Sequence, residues 1–331
     1  MSDWPLLESV PNISVGRDRA TLDAIIAATR AGIEHGARRD GSSALLADVH
    51  RDSDHDRSVL TLIGRGEALA NGLEALARAT VEQVDLHAGH GVHPRVGVLD
   101  VLPVIALEEG AAAREAAHAL VIRLGTMLGE QLAVPVVRYG LDQSGTAIEG
   151  AARTGEVRRG GPATVAERIA EGQLELLAGP REPHPSAGIT ICGVRDVLIA
   201  FNVELDVDDL ELARAIAARI RETTDGPDAL PGVRALGLRI ASRRVVQIST
   251  NVEQHSACGP ARVLATVARI VAELRPDAGV ATAELVGLAP ETAVAALRYA
   301  CTRLGAELHA AAAPSLEAAA DRADRGDRAL D

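Results

Sequence analysis

The stretch that decides the fold is VDLHAGHGVHPRVGVLDVLPVIAL, residues 84–107. It begins as a polar, glycine-interrupted loop that contains His87, His90 and His93, and it ends as an apolar run that predicts a buried strand. Pro94 fixes its own φ and biases the residue before it toward extended backbone. We therefore expect His93 at a rigid corner that leads into the core. Because loops on rigid scaffolds commonly carry chemistry, the rest of the chain is interpreted as the frame for this corner.

The order of elements around this stretch predicts the fold class. Apolar periodicity predicts β-α-β-β-α-β in residues 6–107, and the same order again in residues 197–288. This order is typical of ferredoxin-like units, in which two helices cover one face of an antiparallel sheet. We predict an α+β protein with two such subdomains, residues 1–194 and 195–309, and a flexible tail over residues 310–331. The evidence for a duplication is the element order, since no residue-level repeat is evident.

The individual elements follow from periodicity and turn signals. In the first half we expect strands at residues 6–14, 44–49, 58–64, 98–107 and 134–139, and helices at residues 18–35, 67–83, 111–131 and 164–177. Gly36 is expected to end the first helix, and residues 140–162 lack periodicity and should form a surface excursion. Residues 179–188 contain three prolines between two glycines, which disfavours both helix and central strand. In the second half we expect strands at residues 197–203, 233–240, 245–252 and 281–288, and helices at residues 208–223, 260–274 and 290–304.

Composition excludes several classes of function. Apolar residues make up 47% of the 331 residues and aromatic residues only 1%, so the core must consist of Ala, Val, Leu and Ile. A net charge of −12 disfavours nucleic-acid binding, because phosphate neutralisation needs clustered cations. All 34 basic residues are arginine, which excludes Schiff-base and pyridoxal-phosphate chemistry that needs a lysine amine.

Cysteine usage and the terminus predict a cytoplasmic protein. Cys192, Cys258 and Cys301 are scattered, form no CxxC pair, and are interpreted as small buried side chains in a reducing compartment. No signal peptide and no apolar run of membrane-spanning length is evident. We expect no membrane partner.

Several polar residues are candidates for chemistry. His93 suits a general acid or base, since the ordinary pKa of histidine is near 6.5, and Arg95 suits an anionic ligand beside it. A metal site built from the histidine loop and the HRDSDHDR segment, residues 50–57, is the alternative, although its spacing matches no recognised ligand pattern. His87, His90 and the three aspartates of residues 50–57 are also consistent with solvated loops.

For three further residues the sequence is consistent with either a structural role or a role in substrate binding. Arg57 precedes an apolar strand and suits either substrate support or a structural ion pair. Asn202 and Asn251 each interrupt or end an apolar strand of the second half. A buried asparagine needs partners, so ligand contact and backbone bracing are equally plausible for both.

Six motifs carry a resemblance to a known family. VPNISVGRD, DVHRDSDHDRSVLTLIG, HPRVGVLDVLPVIAL, VLIAFNVELD, QISTNV and ELVGLAP resemble, in order and spacing, those of the glutamate formimidoyltransferase family, the formiminotransferase half of formimidoyltransferase-cyclodeaminase. The resemblance extends to about residue 304, and we expect no fused cyclodeaminase domain.

The resemblance implies a fold, an activity and a site. It implies two subdomains whose sheets face each other across a folate-binding tunnel, homodimers, and formimidoyl transfer between N-formimidoyl-L-glutamate and tetrahydrofolate as co-substrate, a one-carbon reaction of histidine degradation, without a metal. His93 of the His-Pro-Arg motif is implied to be catalytic, with His50, Arg57, Arg95, Asn202 and Asn251 supporting the substrates. The folate-binding segment implied by the resemblance consists of Gly179, Pro180, Arg181, Glu182, Pro183, His184, Pro185, Ser186, Ala187 and Gly188.

The chain departs from the family pattern at a few positions. Val92 stands where the family commonly has Glu, Asp56 where it often has Asn, and His50 where some members have Asp. Glu182 and His184 replace more apolar or aromatic residues. The alternatives to a transferase are a diverged folate-binding protein without activity and a metal-dependent hydrolase.

Overall fold

The computed structural model describes residues 4–89, 91, 94–311 and 315–327. The chain is a mixed α/β protein with two sheets, and it divides into two compact units. Unit 1 comprises Met1–Asp196 together with Ala319–Asp331, and unit 2 comprises Val197–Ala318.

Unit 1 contains a large sheet and five helices before residue 197. Its strands are β1 (Leu7–Ser9), β2 (Asn12–Ile13), β3 (Ala44–Asp52), β4 (Arg57–Gly64), β5 (Leu99–Ala106), β6 (Val136–Gly140), β7 (Leu176–Ala178) and β8 (Thr190–Val194). Its helices are α1 (Arg19–Asp40), α2 (Gly66–Gln83), α3 (Ala111–Thr126), α4 (Thr154–Val157) and α5 (Gly161–Ala170), with a π-helical turn at Met127–Gln131.

Sheet 1 runs in the order β3, β4, β1 with β2, β5, β8, β6, β7. The strands from β3 to β5 are antiparallel neighbours, whereas β8 lies parallel between β5 and β6. One face packs against α1, α2 and α3 through a fully apolar core that includes Leu22, Leu60, Leu73, Leu102 and Leu124. A second cluster, with Val101, Tyr139, Val157 and Ile191, packs on the other face of the parallel part.

Helices α1 and α2 pack unusually closely because two glycines of α1 face α2. A Cβ added to Gly36 would lie 2.0 Å from the carbonyl oxygen of Glu67, and one added to Gly32 would lie 2.4 Å from that of Asn71. The prediction that Gly36 ends α1 was therefore wrong: this glycine serves packing, and α1 continues to Asp40. Gly41, with φ +72°, forms the left-handed C-cap instead.

Unit 2 has one sheet in the order β10, β11, β9, β12, β13. Its strands are β9 (Ile199–Leu205), β10 (Val233–Ile240), β11 (Val245–Val252), β12 (Val280–Val286) and β13 (Glu307–His309), and its helices are α6 (Leu210–Ile220), α7 (Pro260–Leu274) and α8 (Glu291–Leu304). The helices cover one face around Phe201, which is fully buried.

Other expectations differ from the structure in defined places. The predicted surface excursion contains α4 and buries Ala151 and Val157 in the second cluster of unit 1, and β7, β8 and β13 were not predicted. Within the predicted tail, which the alanine-rich sequence left open between a frayed helix and disorder, α9 (Leu316–Asp324) forms, and its Ala319 and Ala323 are buried on one helix face.

Candidate functional site

The predicted folate segment, residues 179–188, lies beside the histidine loop in unit 1. The Leu86 N–H donates to the Ser186 carbonyl at 2.8 Å, and the Val98 N–H donates to the Ala187 carbonyl at 2.9 Å. The two segments are therefore joined by main-chain hydrogen bonds at both ends of the loop.

The end of this segment is a tight turn closed by a histidine. His184 and Gly188 exchange two main-chain hydrogen bonds of 2.9 Å, and the His184 Nδ1 accepts the Ala187 N–H at 3.0 Å. The His87 Nε2 lies 2.9 Å from the Pro185 carbonyl oxygen, although His87 is exposed as predicted. Residues 180–182, at the start of the segment, are exposed.

The predicted catalytic His93, together with His90 and Val92, lies outside the described residues. Its described neighbours contact the turn between β3 and β4. A Cβ added to Gly91 would lie 1.8 Å from a carbonyl oxygen of that turn. The Arg95 Nη1 donates to another carbonyl oxygen of the turn at 3.3 Å.

The turn between β3 and β4 is held by two aspartates. The Asp52 Oδ2 lies 2.6 Å from the His55 Nδ1. Burial alone would raise the pKa of Asp52, but hydrogen bonds from the ring and main chain of His55 hold that pKa well below its usual value. Asp56 has φ +48°, and its Oδ1 accepts the N–H groups of Gly16 and Arg17 at 3.0 Å each. The interpretation of these aspartates as solvated was wrong for Asp52 and Asp56.

Two arginines and two carboxylates meet next to this turn. Asp100 is the extra residue of a bulge in β5; it is 2% exposed, accepts the Val96 N–H at 2.8 Å and binds Arg158 at 2.5 Å. Burial and the charge of Arg158 lower the pKa of Arg57 to about 10, against the opposing effects of Asp100 and Asp52. Arg57 is therefore part of an internal charge cluster and still cationic at neutral pH.

The face of sheet 1 that points away from α1 and α2 is polar over β1 to β4. Directly paired residues of neighbouring strands share a face. His50 and Asn12 both pair with Val59, and Asp52, two residues after His50, pairs with Arg57. His50, Asn12 and Arg57 therefore lie on the same face. The polar residues of this face, called the polar face below, are Glu8, Asn12, Asp48, His50, Asp52, Arg57 and Thr61, and Leu45, Val59 and Ile63 lie among them.

Burial changes the acidity of two carboxyls on this polar face. Burial raises the pKa of Glu8 to about 7, and the nearby cation of Arg195 opposes the change only in part. Burial likewise raises the pKa of Asp48, against the opposing charge of His50. Sites that exchange protons near neutral pH commonly contain carboxyls of this kind.

Sheet 2 has a polar face of its own. Asn202 pairs with Ser249 of β11, and Asn251 lies two residues further along that strand, so both asparagines share the face away from the helices. The Asn202 Nδ2 donates to the Glu284 Oε2 at 2.8 Å.

The same face of sheet 2 holds an ion pair between a buried carboxylate and an exposed arginine. Glu204, 4% exposed, accepts two hydrogen bonds of 2.6 and 2.7 Å from Arg243 and one of 3.2 Å from Gln247. The side chain of Asn202 is thus held by the Glu284 carboxylate, and Asn251 is half-buried.

The structure groups the predicted support residues by unit. His50 and Arg57 share the polar face of sheet 1, Arg95 binds the adjoining turn, and Asn202 and Asn251 share the polar face of sheet 2. Sequence reasoning missed Glu8, Asp48, Asp100, Arg158 and Glu204. The available signal was a charged residue inside an apolar strand, as at Glu8 and Asp100.

The described ranges contain neither a metal-ligand cluster nor a helix able to span a membrane. Among residues 4–89, 91, 94–311 and 315–327, no group of three or more His, Cys, Asp or Glu side chains is arranged to hold a metal ion. Within the same ranges no helix combines the length and the apolar character required to cross a bilayer. The three cysteines are buried, as predicted.

Comparison with known proteins defines the class. The family model described as the formiminotransferase domain, N-terminal subdomain, matches residues 6–195, and the one described as the formiminotransferase domain matches residues 200–305. The chain belongs to the formiminotransferase family.

Individual relatives agree with this assignment. The chain is 29% identical over 289 residues to glutamate formimidoyltransferase of Streptococcus pyogenes serotype M1, covering 87% of this chain and 90% of that protein. It is 31% identical over 294 residues to glutamate formimidoyltransferase of Thermoplasma acidophilum, covering 87% and 89%. Formimidoyltransferase-cyclodeaminase of Sus scrofa is 33% identical over 288 residues, and the chain spans 50% of its length. The solved structure of pitrilysin matches with a TM-score of 0.21 at 10% identity, over 83% of this chain and 34% of that chain, a score too low to bear on the fold.

Proposed function

We propose that the protein is a glutamate formimidoyltransferase, which moves a formimidoyl group between N-formimidoyl-L-glutamate and the co-substrate tetrahydrofolate. The observation that carries the proposal is family membership over both halves of the chain. The relatives that match over about 90% of their own length carry this activity in their names.

His93 acts as the general acid and base in this proposal. Attack of an amine on the formimidoyl carbon gives a tetrahedral intermediate, from which a nitrogen leaves readily only when it is protonated. A histidine that gains and loses a proton near neutral pH suits that step, and the positioning of two substrates supplies further acceleration. The His-Pro-Arg motif of the resemblance supports this role.

Residues 179–188 bind the folate, and His50, Arg57, Arg95, Asn202 and Asn251 support the substrates. The hydrogen bonds between this segment and residues 86–98 support the first assignment, because they join the segment to the loop that carries the His-Pro-Arg motif. Arginine must bind the carboxylates of glutamate and folate, because the chain has no lysine.

We further propose that the two units are ferredoxin-like and that their sheets face each other across a ligand tunnel. The strand order β3, β4, β1 with β2, β5 in sheet 1, and β10, β11, β9, β12 in sheet 2, supports the topology. The polar residues on β1 to β4 of sheet 1 and on the face of sheet 2 away from its helices favour a polar ligand. Domain boundaries near residues 194 and 309, a cytoplasmic homodimer, and a role in one-carbon metabolism and histidine degradation without a metal complete the proposal.

His93→Ala is the test of this function. We expect turnover of formimidoylglutamate with tetrahydrofolate to fall by roughly 100-fold or more, because general acid–base catalysis typically contributes that much. Folinate affinity and the unfolding temperature should stay unchanged. His35→Ala, the same substitution at an exposed position of α1, is the matched control and should retain full turnover.

The alternatives give different results in the same assay. Unchanged turnover in His93→Ala removes this histidine from the mechanism. Folinate binding by the wild-type protein without consumption of formimidoylglutamate indicates a diverged folate-binding protein. Activity that a chelator abolishes and a divalent metal restores indicates a metal-dependent hydrolase.

A further inference from the structure

Three polar side chains on the polar face of sheet 1 form a row along β4. Glu8 pairs with Ile63 of β4, and Asn12 pairs with Val59 of the same strand. Thr61, midway between Val59 and Ile63, therefore lies diagonal to both Glu8 and Asn12, within reach of long side chains. The alternate residues of these strands point into the core beneath the helices: Leu7, Ile13, Leu60 and Leu62.

These side chains are buried and lack the partners that buried polar groups normally have. Glu8 is 4% exposed, Asn12 8% and Thr61 0%. Across the part of the chain that the structure describes, the Asn12 Oδ1 and the Thr61 Oγ1 have no hydrogen-bond partner. At the Glu8 carboxylate, desolvation outweighs the opposing charge of Arg195. Such groups cost free energy and call for an explanation.

Three buried serine hydroxyls in or next to the same strands are satisfied, in contrast to Thr61. The hydroxyl groups of Ser9, Ser14 and Ser58 donate to main-chain carbonyl oxygens at 2.6 to 2.8 Å. The Asn12 Nδ2 also donates, to the Val10 carbonyl at 2.7 Å, and this bond fixes which end of the amide remains without a partner.

The chemistry of the unsatisfied atoms selects the kind of ligand. An amide oxygen accepts hydrogen bonds, an ionised carboxylate accepts at both oxygens, and a threonine hydroxyl accepts as well as donates. The cation near Glu8, Arg195, donates its Nη1 to the Asp196 carbonyl at 2.7 Å. The row thus presents acceptors to a group that carries several N–H donors.

We propose that Glu8, Thr61 and Asn12 form a subsite for a planar N–C–N group that carries N–H donors. The two Glu8 oxygens accept parallel N–H bonds from the two nitrogens, as a carboxylate does from such a fork, and the third N–H is shared between the acceptors of Thr61 and Asn12. This inference rests on the proposed function, since both proposed substrates contain the group: the amidine of the formimidoyl moiety and the aminopyrimidinone of tetrahydrofolate.

Binding measurements on two variants test the subsite and identify the source of the group. The dissociation constants of N-formimidoyl-L-glutamate and of folinate are measured separately by calorimetry. For one of the two ligands we expect Thr61→Val to weaken binding about 3- to 10-fold and Glu8→Gln on the order of 10- to 100-fold, as for the loss of a neutral and a charge-assisted hydrogen bond. The ligand whose affinity changes is the one that supplies the N–C–N group.

Ser58→Ala is the matched control. Its hydroxyl is also buried in β4, but it donates to the Val15 carbonyl, so both affinities should remain at the wild-type value. Wild-type affinities in the folded Thr61→Val and Glu8→Gln proteins overturn the subsite, and so does an equal loss in Ser58→Ala. If the wild-type protein binds folinate but does not turn over formimidoylglutamate, the proposed activity fails while the folinate arm still decides the subsite. Binding of neither ligand by the wild-type protein overturns both.

Discussion

Glu8 is a buried carboxyl and Asp52 a half-buried one on the same face of one sheet, and their pKa values move in opposite directions. Desolvation acts on both, because burial penalises the charged form. At Asp52 the ring and main chain of His55 and the Asp54 N–H donate hydrogen bonds that overcome it. At Glu8 the charge of Arg195 opposes desolvation only in part, and desolvation prevails. Hydrogen-bond donors at Asp52 thus reverse the direction in which burial alone would move its pKa.

Glu8→Gln should change how stability depends on pH. The folded-state pKa of about 7 exceeds the ordinary value of 4.5, so the folded protein binds more protons than the unfolded chain between these values. Stability therefore falls as pH rises through this window, by at most about 3 kcal/mol from a difference of about 2.5 pKa units. The difference in unfolding free energy between wild type and variant, measured by urea denaturation from pH 4.5 to 8, should shift in favour of the variant with rising pH. Parallel curves would contradict the assigned burial of Glu8.

At the scale of elements, sequence patterns predict best where a boundary is encoded locally. β10, β11 and α7 have the predicted bounds, because a polar turn separates the two strands and Pro260 occupies the first turn of α7. β8 was missed, since it is five residues long and exists through its parallel neighbours β5 and β6, which are distant in sequence. Tertiary pairing of this kind leaves no periodicity to find.

In the candidate site, too, local motifs were found from the sequence, whereas contacts between distant residues were not. The histidine loop and residues 179–188 were both selected from the family resemblance, and the structure joins them by main-chain hydrogen bonds. Asp100 and Arg158 were missed because they are 58 residues apart and meet only when the bulge in β5 turns the carboxylate toward the short helix α4. A sequence pattern does not encode such a meeting.

Gly36→Ala tests the close packing of α1 on α2. Alanine favours helix by about 1 kcal/mol, but its Cβ would approach the Glu67 carbonyl oxygen to 2.0 Å and force the helices apart. We expect a net loss of about 2 to 4 kcal/mol in unfolding free energy, measured by urea denaturation. Gly41→Ala is the control, because its Cβ enters open space and the loss is limited to about 1 kcal/mol from its φ of +72°. A neutral or stabilising effect at Gly36 would show that it merely interrupts a helix.

At the scale of the whole molecule, the chain leaves unit 1 after Asp196 and returns to it at Ala319. The return is fixed by the second half of α9. The Ser43 Oγ donates to the Ala323 carbonyl at 2.7 Å, and the Arg65 Nε donates to Asp324 at 2.8 Å. These contacts lie at the ends of β3 and β4 that are remote from the turn with Asp52, so the C-terminal helix braces the sheet of the candidate site from its opposite end.

Ala323→Glu tests that brace. Ala323 is 1% exposed, and a buried carboxylate without a partner should destabilise the local structure by about 2 to 4 kcal/mol. We expect amide hydrogen exchange to accelerate in β3 and β4 while β10 and α7 of unit 2 keep wild-type rates, because local opening follows the contacts that are lost. Ala318→Glu, on the exposed side of the same helix, should change the free energy of local opening derived from these rates by less than about 0.5 kcal/mol. Equal exchange in the two variants would mean that α9 contributes no stability to sheet 1, and the polar face of sheet 1 would then depend on α1, α2 and its own strands alone.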